Sequence, residues 1–152
     1  MSMDLEEQYD KIYRYCYFKV NQREIAEDIT QETFLRFLES SDYVNTGKAM
    51  QYLYTIARNL CVDEYRKRKM ELLDEEVVDS NAEDDMITRV SVRMALEELD
   101  EADRELLLLR YVNEVPVSVI CKLYGISRFA VYRRVSQATK NLKGKLGKED
   151  FT

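Results

Sequence analysis

"PVSVICKLYGISRFAVYRRVSQATKNL", residues 116–142, puts the chain's single proline at one end of an apolar segment and a glycine near its other end. Pro116 suits the first turn of a helix, and Gly125 suits a left-handed stop. Two residues on, Ser127 offers a hydroxyl to the free amides of a new helix. There Val131, Val135, Ala138 and Leu142 step by four, three and four residues, making one apolar stripe. Helix, short glycine-containing turn and helix is the helix-turn-helix plan. At about 100° per residue the far side carries Phe129, Arg133, Ser136, Gln137 and Lys140, with Tyr132 at its edge. The stripe would hold the helix to its lobe while cations, amides and an aromatic face outward. Those groups contact phosphates and major-groove base edges. A solvated basic face has the same periodicity and charge, but solvation does not account for Phe129.

Upstream, Asp100 precedes "EADRELLLLRYV" (101–112) and Asp103 follows three residues on, so negative charge in the first turn marks a helix start. The 152 residues, 45% of them hydrophobic, suffice for one ordinary domain or two small ones with a real core. Four glycines, one proline and abundant Leu, Glu, Lys and Arg favour helices, so the expected fold class is all-α. Charge is sorted by segment. The formal net charge is −6, yet residues 128–148 hold seven Lys or Arg and no Asp or Glu. Residues 1–70 carry 11 basic and 12 acidic side chains, 71–87 none and 8, and 88–152 12 and 9. The middle segment, "ELLDEEVVDSNAEDDMI", has weak periodicity and like charge, and reads as an extended linker between two helical lobes.

Several function classes drop out. The N-terminus lacks a basic region followed by an apolar stretch and a cleavage site, and the longest aliphatic run is Leu106 to Leu109, so a cytoplasmic protein is expected. Cys16, Cys61 and Cys121 are widely spaced and there is no His, which leaves no Cys/His zinc constellation. Core packing suits each cysteine, and no metal or cofactor is expected. With no Gly-rich phosphate loop, no nucleophile motif and no paired carboxylates outside solvated runs, neither an enzyme nor a small-molecule substrate is expected.

The N-terminal lobe offers further surfaces. Leu5, Tyr9, Ile12, Tyr13, Cys16 and Val20 make an amphipathic first helix. In the second, "REIAEDITQETFLRFLES" (23–40), Ile25, Ala26, Ile29, Thr33 and Phe37 line one face while Asp28, Gln31, Leu35 and Leu38 line the other. A helix apolar on both sides has more than one neighbour. An internal helix and a docked protein both fit that pattern. The third helix, "KAMQYLYTIARNLCVDEYRKRK" (48–69), has Ala49, Leu53, Ile56, Ala57 and Leu60 on its core stripe and Gln51, Tyr54, Thr55, Arg58, Val62 and Tyr65 opposite. It ends in Arg66, Lys67, Arg68 and Lys69. Aromatics interleaved with cations suit single-stranded DNA, where rings stack on bases and charges follow the backbone. Cations at a helix C-terminus also stabilise its dipole by about 0.3–1 kcal/mol, which accounts for one or two of the four.

Taken together, "DITQETFLRF" (28–37), "YLYTIARNLCVDEYRKR" (52–68), an acidic linker and "LDEADRELLLLRYVNEVPVSVICKLYGIS" (99–127) resemble the extracytoplasmic-function group of bacterial sigma-70 factors. The resemblance implies an alternative sigma factor that binds core RNA polymerase and directs promoter-specific initiation. It implies a sigma-2-like domain over 1–70 that binds polymerase and melts the −10 element, an acidic linker over 71–90, and a sigma-4-like helix-turn-helix domain over 91–148 that reads the −35 element. Asp28, Gln31, Glu32, Leu35 and Leu38 match the contact with the clamp helices of the largest polymerase subunit, and the flap of the second-largest subunit is a further expected partner. The loop Ser41 to Lys48 and the start of the third helix match the part that captures a flipped base of the −10 element. The −10 contacts fall on Lys48, Gln51, Tyr52, Tyr54, Thr55, Arg58, Asn59, Val62, Tyr65 and Arg66. The −35 contacts fall on Ser127, Arg128, Phe129, Tyr132, Arg133, Arg134, Ser136, Gln137 and Lys140. Double-stranded and single-stranded promoter DNA and an anti-sigma factor complete the implied partners.

The chain departs from the family pattern in places. Tyr52 stands where Trp is common, Phe129 and Ala130 where Gly-Thr is common, and Gln137 and Thr139 where Arg is common, which implies fewer phosphate contacts. A free-standing helix-turn-helix regulator is the alternative; it would leave the two-faced second helix and the aromatic-basic third helix idle.

Overall fold

In a computed structural model of the chain the described residues are 4–40, 48–71 and 98–146, and every regular element among them is helical. The chain divides into two compact units, Met1–Val77 and Val78–Thr152. Residues 72–90 of the expected linker and 41–47 of the expected base-capture loop lie outside the described residues.

The first unit packs three helices, α1 (Leu5–Val20), α2 (Arg23–Glu39) and α3 (Ala49–Glu71), each against the other two. Asp4 caps α1, its carboxylate accepting from the Glu6 and Glu7 amides at 3.0 and 3.3 Å. Asn21 ends α1 in the left-handed region at φ 58°, which Asn tolerates, and its amide bonds the Tyr17 carbonyl. That turn folds α2 back so that Ile12, Cys16, Ala26, Leu53 and Ala57 are buried together with Phe37. Thr30 and Thr33 are also buried, and their hydroxyls donate to the carbonyls one turn earlier at 2.7 Å each, which removes the cost of unpaired polar groups. A chain of rings links the three helices, from Tyr9 to Phe34 at 5.2 Å, Phe34 to Phe37 at 6.5 Å and Phe37 to Tyr52 at 6.1 Å between centroids.

One expected surface residue belongs to this core. Tyr54, placed by its sequence pattern on the outer side of α3, is only 1% exposed and meets Tyr15 of α1 edge-on, with centroids 5.7 Å apart. It lies about 115° from the centre of the apolar stripe, counting 100° per residue. Because α3 is flanked by two helices rather than one, the buried arc widens to include that edge. The third helix's basic end is also partly structural: Arg68 donates to the Val20 carbonyl at 2.7 Å and so ties the end of α3 to the end of α1.

The second unit begins with α4 (Glu101–Leu107), which continues as a wider π-helical turn over Leu108–Val112. A single regular helix over 101–112 was expected. The difference follows from Leu106, Leu107, Leu108 and Leu109 all being buried, so this stretch is apolar all round and packed on every side. The wider winding brings the Asn113 amide to the Leu108 carbonyl at 2.9 Å and the Val115 amide to Leu109 at 2.8 Å, with Glu114 at φ 52° turning the chain. Asp100 precedes α4 without a side-chain capping bond, so its role there is its charge and its carbonyl, which accepts from the Arg104 amide.

Pro116 sits one residue before α5 (Val117–Tyr124) and its carbonyl accepts from the Val119 and Ile120 amides. Gly125 ends α5 at φ 67°, and the Gly125 and Ile126 amides both bond the Cys121 carbonyl. Ser127 then caps α6 (Arg128–Leu146), its hydroxyl accepting from the Ala130 amide at 3.1 Å. Val131, Val135 and Ala138 are buried, and Leu142 packs on the cluster of Leu99, Leu107 and Ala138, so the stripe read from the sequence is the one that docks. The buried Glu105 carboxylate accepts from Tyr124 at 2.7 Å, pinning α5 to α4. Cys16 and Cys61 are buried and Cys121 half-buried, all as free thiols.

The position of Tyr54 has a direct test. Tyr54→Ala should destabilise the first unit by about 3–5 kcal/mol, the usual cost of deleting a buried large aromatic, whereas Tyr65→Ala, at a position 59% exposed, should change it by less than about 0.5 kcal/mol. Urea unfolding of both variants followed by circular dichroism checks the contrast.

Candidate functional site

Three surfaces collect the residues singled out from the sequence. The first is the outer face of α2. Asp28 and Gln31 are exposed, Glu32 is half-buried, and Leu35 and Leu38 are 57% and 59% exposed. Of the two neighbours that the two-sided pattern allowed, the described helices of this unit supply only the inner one. Glu32 is held by Arg36 one turn on at 2.8 Å, an exposed pair whose main effect is to fix the carboxylate's orientation. Beside this face a groove of about 340 Å³ runs between α2 and α3, with Ile29 and Leu60 lining it and Asp28, Glu32, Asp63, Glu64 and Lys67 around them. Four carboxylates against one ammonium make the groove acidic. The face therefore combines two uncovered leucines with negative charge, a match for an apolar and basic protein surface rather than for DNA.

The second surface runs along α3. Lys48, Asn59, Val62, Tyr65 and Arg66 are exposed, and Gln51, Tyr52, Thr55 and Arg58 are half-buried. Lys48, Gln51, Tyr52, Thr55, Asn59, Val62 and Arg66 recur at three- and four-residue steps and share one face; Arg58 and Tyr65 lie on its flank. Tyr54 does not belong, for the reason given above. Tyr52 is anchored rather than free: its ring packs on Phe37 and its hydroxyl lies 3.4 Å from the Ser40 hydroxyl. Ser40 is the last described residue before 41–47, and this contact sets it against α3. The Thr55 hydroxyl donates to the Gln51 carbonyl at 2.8 Å. Arg68 turns inward to Val20, so of the terminal basic run Arg66, Lys67 and Lys69 are the members left for an anionic partner to meet.

The third surface is α6. Arg128, Phe129, Tyr132, Arg133, Arg134, Ser136, Gln137 and Lys140 are all exposed, while the Ser127 hydroxyl is engaged in the cap. Phe129, Arg133, Ser136 and Lys140 project from the side opposite the buried stripe; Arg128 and Arg134 lie on its flanks. Three side-chain contacts here were not visible in the sequence. The Arg133 guanidinium carbon lies 5.6 Å from the centre of the Phe129 ring. The Gln137 amide donates to Asn141 at 3.1 Å, and Asn141 in turn donates to Asp103 of α4 at 3.3 Å. A spacing of four residues on a helix is the one signal that could have suggested the first two, and no local signal links Asn141 to Asp103. A helix carrying five cations between Arg128 and Lys143 and no carboxylate suits the phosphate-lined major groove.

Among the described residues no group of His, Cys, Asp or Glu is placed to hold a metal ion, and no helix is long and apolar enough to cross a membrane.

Comparison with known proteins agrees with this division. The profile of Sigma-70 region 2 matches residues 5–71, and that of Sigma-70, region 4 matches residues 89–142. The chain is 30% identical to the ECF RNA polymerase sigma factor BldN of Streptomyces coelicolor over 91% of its own length, and 27% identical to SigW of Bacillus subtilis over 90%. It spans 57% of the length of BldN and 83% of SigW. The sigma factor RpoE of Bartonella quintana, solved with the anti-sigma factor NepR, shares the fold with a TM-score of 0.69 at 22% identity, covering 91% of each chain. Two helical units in this order, each matched by its own sigma-70 region, identify the chain as a member of the extracytoplasmic-function group of the sigma-70 family.

Proposed function

We propose that the chain is an alternative sigma factor acting in the cytoplasm, with its first unit docking on core RNA polymerase and handling unpaired −10 DNA and its second reading the −35 duplex. The observation that carries this is the pairing, in one chain, of an uncovered apolar-acidic helix face with a basic, aromatic-bearing recognition helix. Leu35 and Leu38, more than half exposed, want a protein partner. Arg133 and Lys140 want a nucleic acid. A free-standing helix-turn-helix regulator explains the second surface and leaves the first without purpose. The chain's residues act by binding and carry no catalytic step.

The clamp helices of the largest subunit fit Asp28, Gln31, Glu32, Leu35 and Leu38, and the flap of the second-largest subunit is assigned to the second unit. An anti-sigma factor, the kind of partner solved with the Bartonella relative, would restrain the protein by competing for these surfaces. Promoter opening needs the whole assembly. Separating DNA strands costs about 1.4 kcal/mol per base-pair step in stacking, while one base on an aromatic returns about 1–3 kcal/mol. With Tyr54 inside, the exposed rings on α3 are fewer than its sequence suggests, and Tyr65 with Arg58, Asn59 and Arg66 carries the single-strand contact.

Leu35→Arg should abolish co-elution with core polymerase on a sizing column and leave helicity and melting temperature nearly unchanged. Unfolding of the variant would make Leu35 a core residue and remove the docking face.

Tyr65→Ala combined with Arg66→Ala should leave polymerase binding intact and lose open-complex formation, measured by permanganate reactivity of the −10 strand. A premelted template should restore most transcription; equal loss on duplex and premelted templates overturns the single-strand assignment.

Arg133 sits in the second turn of α6, near the end that meets base edges, and its planar fork can bond a guanine twice. Lys140, two turns on, would pass the phosphate backbone as a point charge. Arg133→Ala should cost about 1–3 kcal/mol and flatten the preference at one or two upstream positions, while Lys140→Ala should weaken all sequences alike and lower the salt slope by about one. Transcription by each holoenzyme on single-base −35 variants at several salt concentrations distinguishes the two.

A further inference from the structure

Phe129 stands 74% exposed on the polar side of α6, while Val131, Val135 and Ala138 anchor the helix, so its ring does little for the core. It lies one turn before Arg133, whose guanidinium carbon is 5.6 Å from the ring centre. Side chains on a helix lean toward its N-terminus, so Arg133 reaches back over Phe129 toward the end of α6 that would enter the groove. A phenyl ring attracts a guanidinium through its face. The guanidinium's five N–H donors lie in its own plane, so stacking by the face leaves the donor edge free for a base. An arginine on its own flexible stem samples many orientations. One held by a ring presents its fork in few.

We propose that Phe129 is a positioning residue that holds the Arg133 guanidinium by its face and so sharpens discrimination at one guanine of the upstream element. This rests on the reading of α6 as the −35 reader. Phe129 has a rival use, direct contact with a thymine methyl group, which would add to whatever Arg133 reads rather than act through it.

The experiment is a double-mutant cycle on full-length protein in holoenzyme, transcribing a panel of single-base −35 variants, with each variant's helicity and melting temperature checked first. Phe129→Ala and Phe129→Leu should each lower discrimination about two- to five-fold, the size of an exposed cation–π contact, and at the same position that Arg133→Ala flattens. Phe129→Tyr and Phe129→Trp should restore it, and Phe129→Ala should add nothing in the Arg133→Ala background. Additive losses, or rescue by Leu equal to that by Trp, overturn the positioning role and assign the ring to DNA. If Arg133→Ala leaves the shape of the panel unchanged, the base-reading assignment itself falls and the positioning role falls with it.

Discussion

A helix in a three-helix unit can be covered by its neighbours along one arc only, and the function of this chain grows from that geometric limit. α2 has 17 residues, and α1 and α3 both press on the side that carries Ala26, Ile29, Thr33 and Phe37. Among the described residues the other side keeps Leu35 and Leu38 more than half exposed. Small domains bury only about 60% of the surface that their unfolded chains expose, so whatever is apolar outside that fraction must be used or must be a liability. Leu35 and Leu38 are therefore informative because they are exposed on the same helix whose Asp28 and Glu32 border an acidic groove. Negative charge beside the leucines opposes their burial against a like-charged surface and complements a basic one.

The second unit meets the same limit with different chemistry. Its described helices are joined by turns whose geometry is set residue by residue: Glu114 at φ 52°, Gly125 at φ 67°, and the Ser127 cap. Those turns fix the direction of α6 before any packing is counted. The stripe of Val131, Val135 and Ala138 then fixes its rotation, so that Phe129, Arg133 and Lys140 cannot face inward. The Gln137–Asn141–Asp103 chain ties the middle of the helix back to α4. A recognition helix held in direction, rotation and height presents its side chains at fixed spacing, which is what readout of base edges demands.

Charge segregation links the two units to one task. The chain is acidic overall, yet its cations gather at the end of α3 and along α6. Repulsion by the acidic segments, strongest within a Debye length of about 8 Å at physiological salt, would discourage the free chain from settling on arbitrary DNA. On the proposed docking mode polymerase would cover the acidic face of α2, and that opposition would fall. The arrangement favours DNA engagement by the assembled complex over engagement by the subunit alone.

Much of this was legible in the sequence, because the relevant rules act over a few residues. The Gly125 stop, the Ser127 cap and the buried stripe of α6 all depend on local conformation and a 3.6-residue period, and all stand in the structure as read. The exposed leucines of α2 were legible for the same reason. What the tertiary structure decided is how wide each buried arc is and which side chains meet across a turn or between helices. Tyr54 went inside because α1 brings Tyr15 to its flank; α3's own pattern holds no information about a neighbour 39 residues earlier in the chain. Phe34, on neither face in the sequence, is buried under Tyr9 by the same close packing. Four consecutive leucines read as one regular helix, until packing on every side made a wider turn the better solution. Arg68 looked like part of a basic patch, and the end of α1 claimed it. Periodicity specifies the middle of a helix face; its edges belong to whatever packs alongside.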